Sequence, residues 1–366
     1  MSEVDYIQCE IRFPDINRVM STEDIVQTVT HVRGFRLSGS YVIVEIFDPH
    51  LEVWHPYTPG TRCELQYGRD GRLTDKFKFQ IYSIENSTLF SRVGVRMILV
   101  EPGWFKLHTE TRIKSFKDKA ISEVIASLGG DAGLKVKAEE TKGKATFIQP
   151  KMTSLQFISQ YLLPISVSKG GQVPYLMTVD KGELLYRPPN LKQKPADKFI
   201  ISSGIDTVIK KFTVTNVSSQ TDFSYGTRLK TFGYDFISQG VLSHSESTND
   251  IAQKNKLNKK PYISNSSRKL VTPYDQQWML DAVTKNAQGR NQFTLDAKAI
   301  VDGYPDFEFD KIYRFTVPTQ GAERIFEYSG DYYVYELVNV LQNRTWLSHW
   351  HLKSNAMLRD EHPGGK

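Results

Sequence analysis

The sequence predicts a mainly β protein with an α+β insert: two antiparallel β-barrels or sandwiches per chain, with the insert between them. Three observations predict it. The stretch "DYYVYELVNVLQNRTWLSHWHLKSN", from Asp331, alternates and carries bulky groups on both parities, Tyr333, Tyr335, Leu337 and Leu341 on one and Tyr332, Val334, Val338 and Val340 on the other. Trp346, Trp350 and Leu352 continue it after a turn, as in a two-sided hairpin. A second stretch, "DKFKFQIYSIENSTLFSRVGVRMILVE", from Asp75, has the same order of strand, Asn turn and strand. Between the two, apolar spacing switches from period 2 to helical.

The repeat is read residue by residue. Asp75 aligns with Asp331, Phe77 with Tyr333, Phe79 with Tyr335 and Ile81 with Leu337. Asn86 then falls near Asn343, and Phe90 falls on Trp346. A turn-led strand precedes each hairpin, "PYTPGTRCELQYG" in one half and "YPDFEFDKIYRFTV" in the other. Any two strands share period 2, so the weight rests on the shared order of elements.

Taken in chain order, residues 1–109 form the first module. "YIQCEIRFP", "DIVQTVTHVRGFRL" and "SYVIVEIFDP" give three strands, punctuated at Gly34 and Gly39, before the hairpin at 75–101. Residues 110–197 form the insert. "SFKDKAISEVIASLGGDAGL" places Phe116, Ile121, Val124, Ile125 and Leu128 at helical spacing, with Ser115 and Asp118 as a capping box and Gly129-Gly130 as the stop. "LKVKAEETKGKATFIQP" reads as a short hairpin turning at Lys142-Gly143. "MTSLQFISQYLLP" reads as a helix capped at Thr153, burying Leu155, Phe157, Ile158, Tyr161 and Leu162. "VPYLMTVDKGELLYRPP" reads as a hairpin over Asp180-Lys181-Gly182-Glu183. Residues 198–366 form the second module, with strands around 207–247 and 292–353. It also carries a helix over 273–288, with Thr272 as N-cap and Pro273 at the first position. The polar, basic segment 248–271 reads as a long loop.

The 366 residues suggest two or three domains. Hydrophobic residues make up 39% and charged residues 24%, as in ordinary globular proteins. No apolar run approaches the ~20 residues of a membrane span. "MSEVDYIQCEIRF" has no signal-peptide pattern, so synthesis and folding in cytoplasm are expected. Lys and Arg number 47 against 41 Asp and Glu, a net +6 that permits acidic partners without demanding nucleic acid. Cys9 and Cys63 lie on apolar strand parities and read as buried free thiols.

No catalytic, metal or cofactor-binding residue is assigned. His349 and His351 point to one face of a strand, a spacing compatible with a metal if Asp331 or Glu336 arrives across the hairpin; interface or surface histidines are the plainer reading. Glu139-Glu140 and Glu246 read as solvated turns rather than paired catalytic carboxylates. There is no nucleophile elbow, P-loop or dinucleotide fingerprint. A cell-wall hydrolase and a single-strand nucleic-acid-binding β-barrel are the alternatives. For the latter, aromatics at 12% and the cluster Lys254, Lys256, Lys259 and Lys260 are the relevant features.

The order of elements resembles phage baseplate hub proteins, a family related to the hub part of type VI secretion spike proteins. The resemblance rests on "DKAISEVIASLGGDAGLKVKAEETKGKATFIQPKMTSLQFISQYLLPIS", on Tyr186-Arg187-Pro188, on "LKTFGYDFISQG" and on the closing strands from "LDAKAIVDGYPDFEFDKIYRFTV" onward. It covers nearly the whole chain, and no single motif is specific. Phe309-Asp310 stands where the family's last barrel usually has a glycine turn, and segment 248–271 has no counterpart. The resemblance implies two tail-tube-like barrels per chain and a homotrimer whose six barrels continue a six-fold tail tube and seat a central spike. The implied partners are further copies of the chain, a tail tube or distal tail tube protein, the spike, a tape-measure protein and baseplate wedge proteins, with DNA only in transit. The implied location is the virion tail baseplate, after assembly in host cytoplasm. Two-sided aromatic strands suit contacts between chains, so Tyr333, Tyr335, Trp346, Trp350, Phe77, Phe79 and Phe90 are the expected interface residues.

Overall fold

Strict alternation sets the first strand: in β1 (Ile7–Phe13), Ile7, Cys9, Ile11 and Phe13 are buried while Glu10 and Arg12 are exposed. The computed structural model describes residues 6–22, 25–48, 56–89, 92–201, 208–216, 228–235, 238–247, 267–271, 274, 276–290, 293, 295–317, 329–342 and 344–354. The first module continues with β2 (Arg18–Ser21), β3 (Val26–Gly34), β4 (Tyr41–Phe47), β5 (Arg62–Arg69), β6 (Arg72–Leu73), β7 (Phe77–Leu89) and β8 (Arg92–Val100). The insert holds α1 (Pro102–Thr109), β9 (Thr111–Lys119), α2 (Ile121–Asp131), β10 (Lys135–Ala138), β11 (Ala145–Thr153), α3 (Ser154–Phe157), β12 (Leu176–Asp180) and β13 (Glu183–Arg187). Then come β14 (Asp197–Ile200), β15 (Ile209–Asn216), β16 (Arg228–Asp235), β17 (Gly240–Ser247), β18 (Ser267–Val271), α4 (Gln277–Arg290), β19 (Leu295–Asp302), β20 (Ile312–Thr316), β21 (Gly330–Gln342) and β22 (Thr345–Ser354).

The protein is mainly β. One 14-stranded sheet runs β15-β19-β22-β21-β3-β4-β8-β7-β5-β1-β2, with β6 on β5 and the pair β14-β20 on β21. Within it one five-strand order occurs twice, β3-β4-β8-β7-β5 and β15-β19-β22-β21-β20, antiparallel throughout. The irregularities repeat as well. A bulge falls at Tyr82 in the β7-β8 ladder and at Tyr335 in the β21-β22 ladder. Another falls at Gln27 between β3 and β4, and at Lys210 between β15 and β19. A bulge re-aims a strand, and two at matching rungs fix the correspondence. Row His31-Val42-Leu99-Ile81 equals row Val214-Ala297-Leu352-Val334.

That correspondence corrects the sequence alignment by three residues: Phe79 matches Tyr332 rather than Tyr335, and Asn86 matches Asn339. An odd shift moves every side chain to the other face. The sequence did not reveal it because Tyr332, Tyr333 and Val334 are all buried, so either parity of β21 reads as a core face.

The insert folds around its own core. Trp104, Phe116, Ile121, Val124, Phe157, Leu162, Tyr175 and Tyr186 are among its buried members. The helix expected over 116–128 begins at Ile121, because Phe116 belongs to β9, paired with Phe147 of β11. Glu123, not Asp118, caps it, its carboxylate accepting the Ala120 N–H at 2.8 Å. Thr153 caps α3 as expected: its hydroxyl accepts the Gln156 N–H, and the Gln156 side chain accepts the Thr153 N–H. Tyr161 is half exposed, not core. The expected hairpin over 134–150 does not form: β10 pairs in parallel with β13, while β11 pairs with β9.

Strands β16, β17 and β18 form a separate three-stranded sheet rather than part of the second barrel. Helix α4 packs across it through Thr284 and Thr231, whose hydroxyls lie 2.5 Å apart. Its other side joins the insert, contributing Met279, Ala282 and Val283 to that core. Thr272, Pro273 and most of the basic segment 248–271 lie outside the described residues; its last five residues are β18. Cys9 and Cys63 are buried free thiols, and burial pushes Cys9 up to about 12. No helix among the described residues is long and apolar enough to cross a membrane.

Candidate functional site

The two modules meet along β21. Its first residues, Gly330–Tyr333, pair with β20 of the same module. Beyond the Tyr335 bulge, Glu336–Gln342 pair on that same side with β3 of the other module, Glu336 opposite Gly34 and Gln342 opposite Thr28. Gly34 is required by the close approach: a Cβ there would lie 2.8 Å from the Cα of Glu336 and from the Tyr335 carbonyl. A buried polar chain crosses the seam. His31 Nδ1 lies 2.8 Å from the Tyr67 hydroxyl, which also accepts from Asn339 Nδ2 at 3.1 Å. Asn339 Oδ1 accepts from Trp346 Nε1 at 2.9 Å and from the Ser348 hydroxyl. Burial, reinforced by the Arg33 charge, lowers His31 to about 3, so the ring is neutral.

The insert's β12-β13 hairpin is riveted to this seam. Its two-residue turn, Lys181-Gly182, takes positive φ at both positions, +54° and +74°. Asp180 receives a bidentate pair from Arg33 at 3.0 and 2.8 Å and the Ser40 hydroxyl at 2.5 Å, all buried. Burial opposes the charge on Asp180, but Arg33 and Ser40 outweigh it and hold the carboxyl below its ordinary range. The Gly182 N–H donates to Glu101 at the end of β8 at 2.7 Å. Burial, with Asp180 nearby, pushes Glu101 up to about 8. Lys181 reaches Asp75 of the first module and Glu308 of the second, at 3.0 and 3.1 Å. The turn was legible in the sequence; its distant partners were not.

The expected interface aromatics are mostly core. Tyr333, Trp346, Trp350, Phe77 and Phe79 are at most 3% exposed within the chain itself, which leaves them no surface to offer a neighbour. Tyr335 is half-buried in the bulge, and Phe90 lies outside the described residues. The two-sided hairpin has another reason. Its base, with Leu337 and Trp350, fills the second module's core, while its tip, with Leu341 and Trp346, fills the first module's.

His349 and His351 share the open face of the sheet, and desolvation lowers both. Glu336 does stand opposite His351, but Arg36 engages it, and Asp331 is held by Arg314 at 2.6 and 2.9 Å. Among the described residues no three His, Cys, Asp or Glu side chains gather at one point.

No family model matches the sequence, and no curated protein sequence does. Solved structures do match the fold. The tail protein of Neisseria meningitidis superposes with a TM-score of 0.68 at 11% identity, over 96% of this chain and 97% of that one. The 43 kDa tail protein of prophage MuSo2 from Shewanella oneidensis gives 0.62 at 10%, over 94% and 97%. A chain of the PdpA–VgrG complex from Francisella gives 0.56 at 10%, over 99% of this chain and 54% of that one. The likeness is one of fold: the chain is folded like these tail proteins, and like part of a chain of a VgrG complex.

Proposed function

We propose that the chain is a structural tail component: a homotrimeric baseplate hub of a phage or phage-like particle, whose six modules continue a six-fold tube and seat a three-fold spike. One observation carries this reading. The strand edge that is filled in the second module is open in the first. Within a chain, β3 occupies the distal edge of β21. The repeat equates β21 with β7 and β3 with β15. Among the described residues, β7 beyond Ile81 has no second strand partner, and neither has the outer edge of β15. Copying the internal seam sets β15 of one chain against β7 of the next, with Val214 opposite Asn86 where His31 lies opposite Asn339. Internal and external seams then alternate around a ring of three chains. Closure satisfies each head-to-tail contact and removes edges that would invite aggregation.

The insert occurs once per chain, so the spike side is three-fold and the tube side nearly six-fold. A distal tail tube protein, a spike, a tape-measure protein and wedge proteins are the expected neighbours, and the chain is non-catalytic. Native mass spectrometry should find three copies. The pair Asn86→Cys and Val214→Cys in one chain should cross-link copies into a closed trimer on oxidation. A monomer, or a trimer in which this pair stays unlinked, overturns the ring.

A further inference from the structure

The two modules present different chemistry on the open face of their shared sheet. In the second module, Thr213, Lys298, His351 and Glu336 form one row across four strands, and Lys211, Ile300, His349 and Val338 form the next. These rows line a groove of about 560 Å³. Its one carboxylate, Glu336, is taken by Arg36. Among the described residues neither Lys211 nor Lys298 has an ion-pair partner, and both are exposed. At the matching rungs the first module has Thr28 for Lys211, Ile43 for Lys298, Ile98 for His351 and Glu85 for Val338. Its one cation there, Arg96 for His349, is neutralised by Glu85 at 3.5 Å. Ladder and bulges are the same, so the fold does not require the lysines.

We infer that this groove is a contact surface for the phosphodiester backbone of nucleic acid. Unneutralised lysines flanked by imidazole and hydroxyl donors suit phosphate oxygens. An acidic protein partner would want an apolar or aromatic anchor at the centre of its site; the groove's large ring, Trp350, is 1% exposed and faces the core. Binding at the groove does not depend on the trimer. The trimeric reading only sets where three such grooves sit around the axis.

The test uses the full-length chain, a labelled 30-base-pair duplex and anisotropy titrations between 50 and 200 mM salt. Each engaged groove should give the two lysines a slope of about −1.8 in log affinity against log salt, roughly a tenfold loss over that range. Lys211→Ala with Lys298→Ala should remove that part of the slope and keep the melting temperature. Lys198→Ala, an exposed lysine on β14, removes charge away from the groove and should leave the slope unchanged. An absence of duplex binding at 50 mM salt overturns the inference, as does an equal effect of Lys198→Ala. Displacement of the duplex by polyglutamate at equal charge concentration makes the occupant an acidic polypeptide and overturns it too. Native mass measured on the same samples separates these results from failure of the ring.

Discussion

The first module joins β3 to β4 through Phe35–Ser40, whereas the second places a whole three-stranded sheet and helix α4 between the equivalent β15 and β19. Yet the ladders on either side keep the same rows and the same two bulges. The turn before β5 and β20 is kept by different residues. Gly60 and Asp310 donate the same backbone bond, to Ile81 and to Val334, and both take positive φ, +93° and +62°. Asp tolerates that conformation where most residues do not. Asp310 adds contacts glycine could not make, an ion pair with Arg187 and a 2.6 Å bond from the buried Tyr333 hydroxyl. The comparison teaches that ladder geometry is the constant of this fold. Loops, faces and edges absorb the divergence, and the fully buried Arg33–Asp180 rivet has no equivalent at the same rung of the second copy.

The largest expected effect follows from that last point. His31 and Arg33 of β3 align with Val214 and Asn216 of β15, so the second module has no arginine at the rung of Arg33; it meets the insert through the half-buried pair Arg187–Asp310 instead. Asp180→Ala strands Arg33 without a partner and should cost about 3–5 kcal/mol in denaturant unfolding. Arg33→Met combined with Asp180→Leu should recover most of that loss. If the single variant unfolds like the wild type, the insert is held by its apolar core alone.

The next effect uses Glu101, which directly follows β8 at the position that Ser354 takes at the end of β22. Its carboxyl is raised from 4.5 to about 8 by burial. A raised acid favours the folded state while protonated. That contribution is complete below about 4.5 and is lost as pH rises to about 8. The contribution of Glu101 should therefore fall by up to ~1.4 kcal/mol per pH unit, and the fall is uncompensated between about 6.5 and 8, because His31, lowered from 6.5 to about 3, contributes the opposite slope below 6.5. Asp180, shifted downward, adds no slope there. Glu101→Gln should flatten the profile. An unchanged slope would show that Glu101 is solvated in solution.

The sequence carried much of the fold. Turn, strand, Asn and strand occurred twice in order, and the order survives in the ladder. Parity misled wherever both faces of a strand are buried, as at Tyr332 and Tyr333. Phe116 read as helical because it lies four residues before Ala120 and eight before Val124, the spacing of one helix face, while its true neighbour is Phe147 across a ribbon. Strands 228–247 share period 2 with the barrel strands, and nothing local tells which sheet they join. The junction was the least legible part. Arg33 meets Asp180 across 147 positions and Asn339 meets Tyr67 across 272, separations at which pattern carries no information. The expected interface followed from equating aromatic density with contact between chains; here the density serves two cores joined by one hairpin.

The smallest expected effect concerns Lys181 at the hairpin tip. It touches Asp75 and Glu308, whose side chains are 78% and 41% exposed. Such pairs lose most of their attraction to solvent and salt, so Lys181→Ala should cost below ~1 kcal/mol, and less again at high salt. One residue along the chain, Asp180 makes the same kind of contact in a buried site and should be several times more costly to remove and far less sensitive to salt. Measured side by side in urea at low and high salt, the two variants test whether burial, rather than the number of modules touched, sets the strength of the tip. Lys181 touches both modules and Asp180 one. A loss at Lys181→Ala equal to that at Asp180→Ala would mean that bridging the modules matters more than desolvation, and the junction would then be a three-way clamp instead of an anchor on the first module.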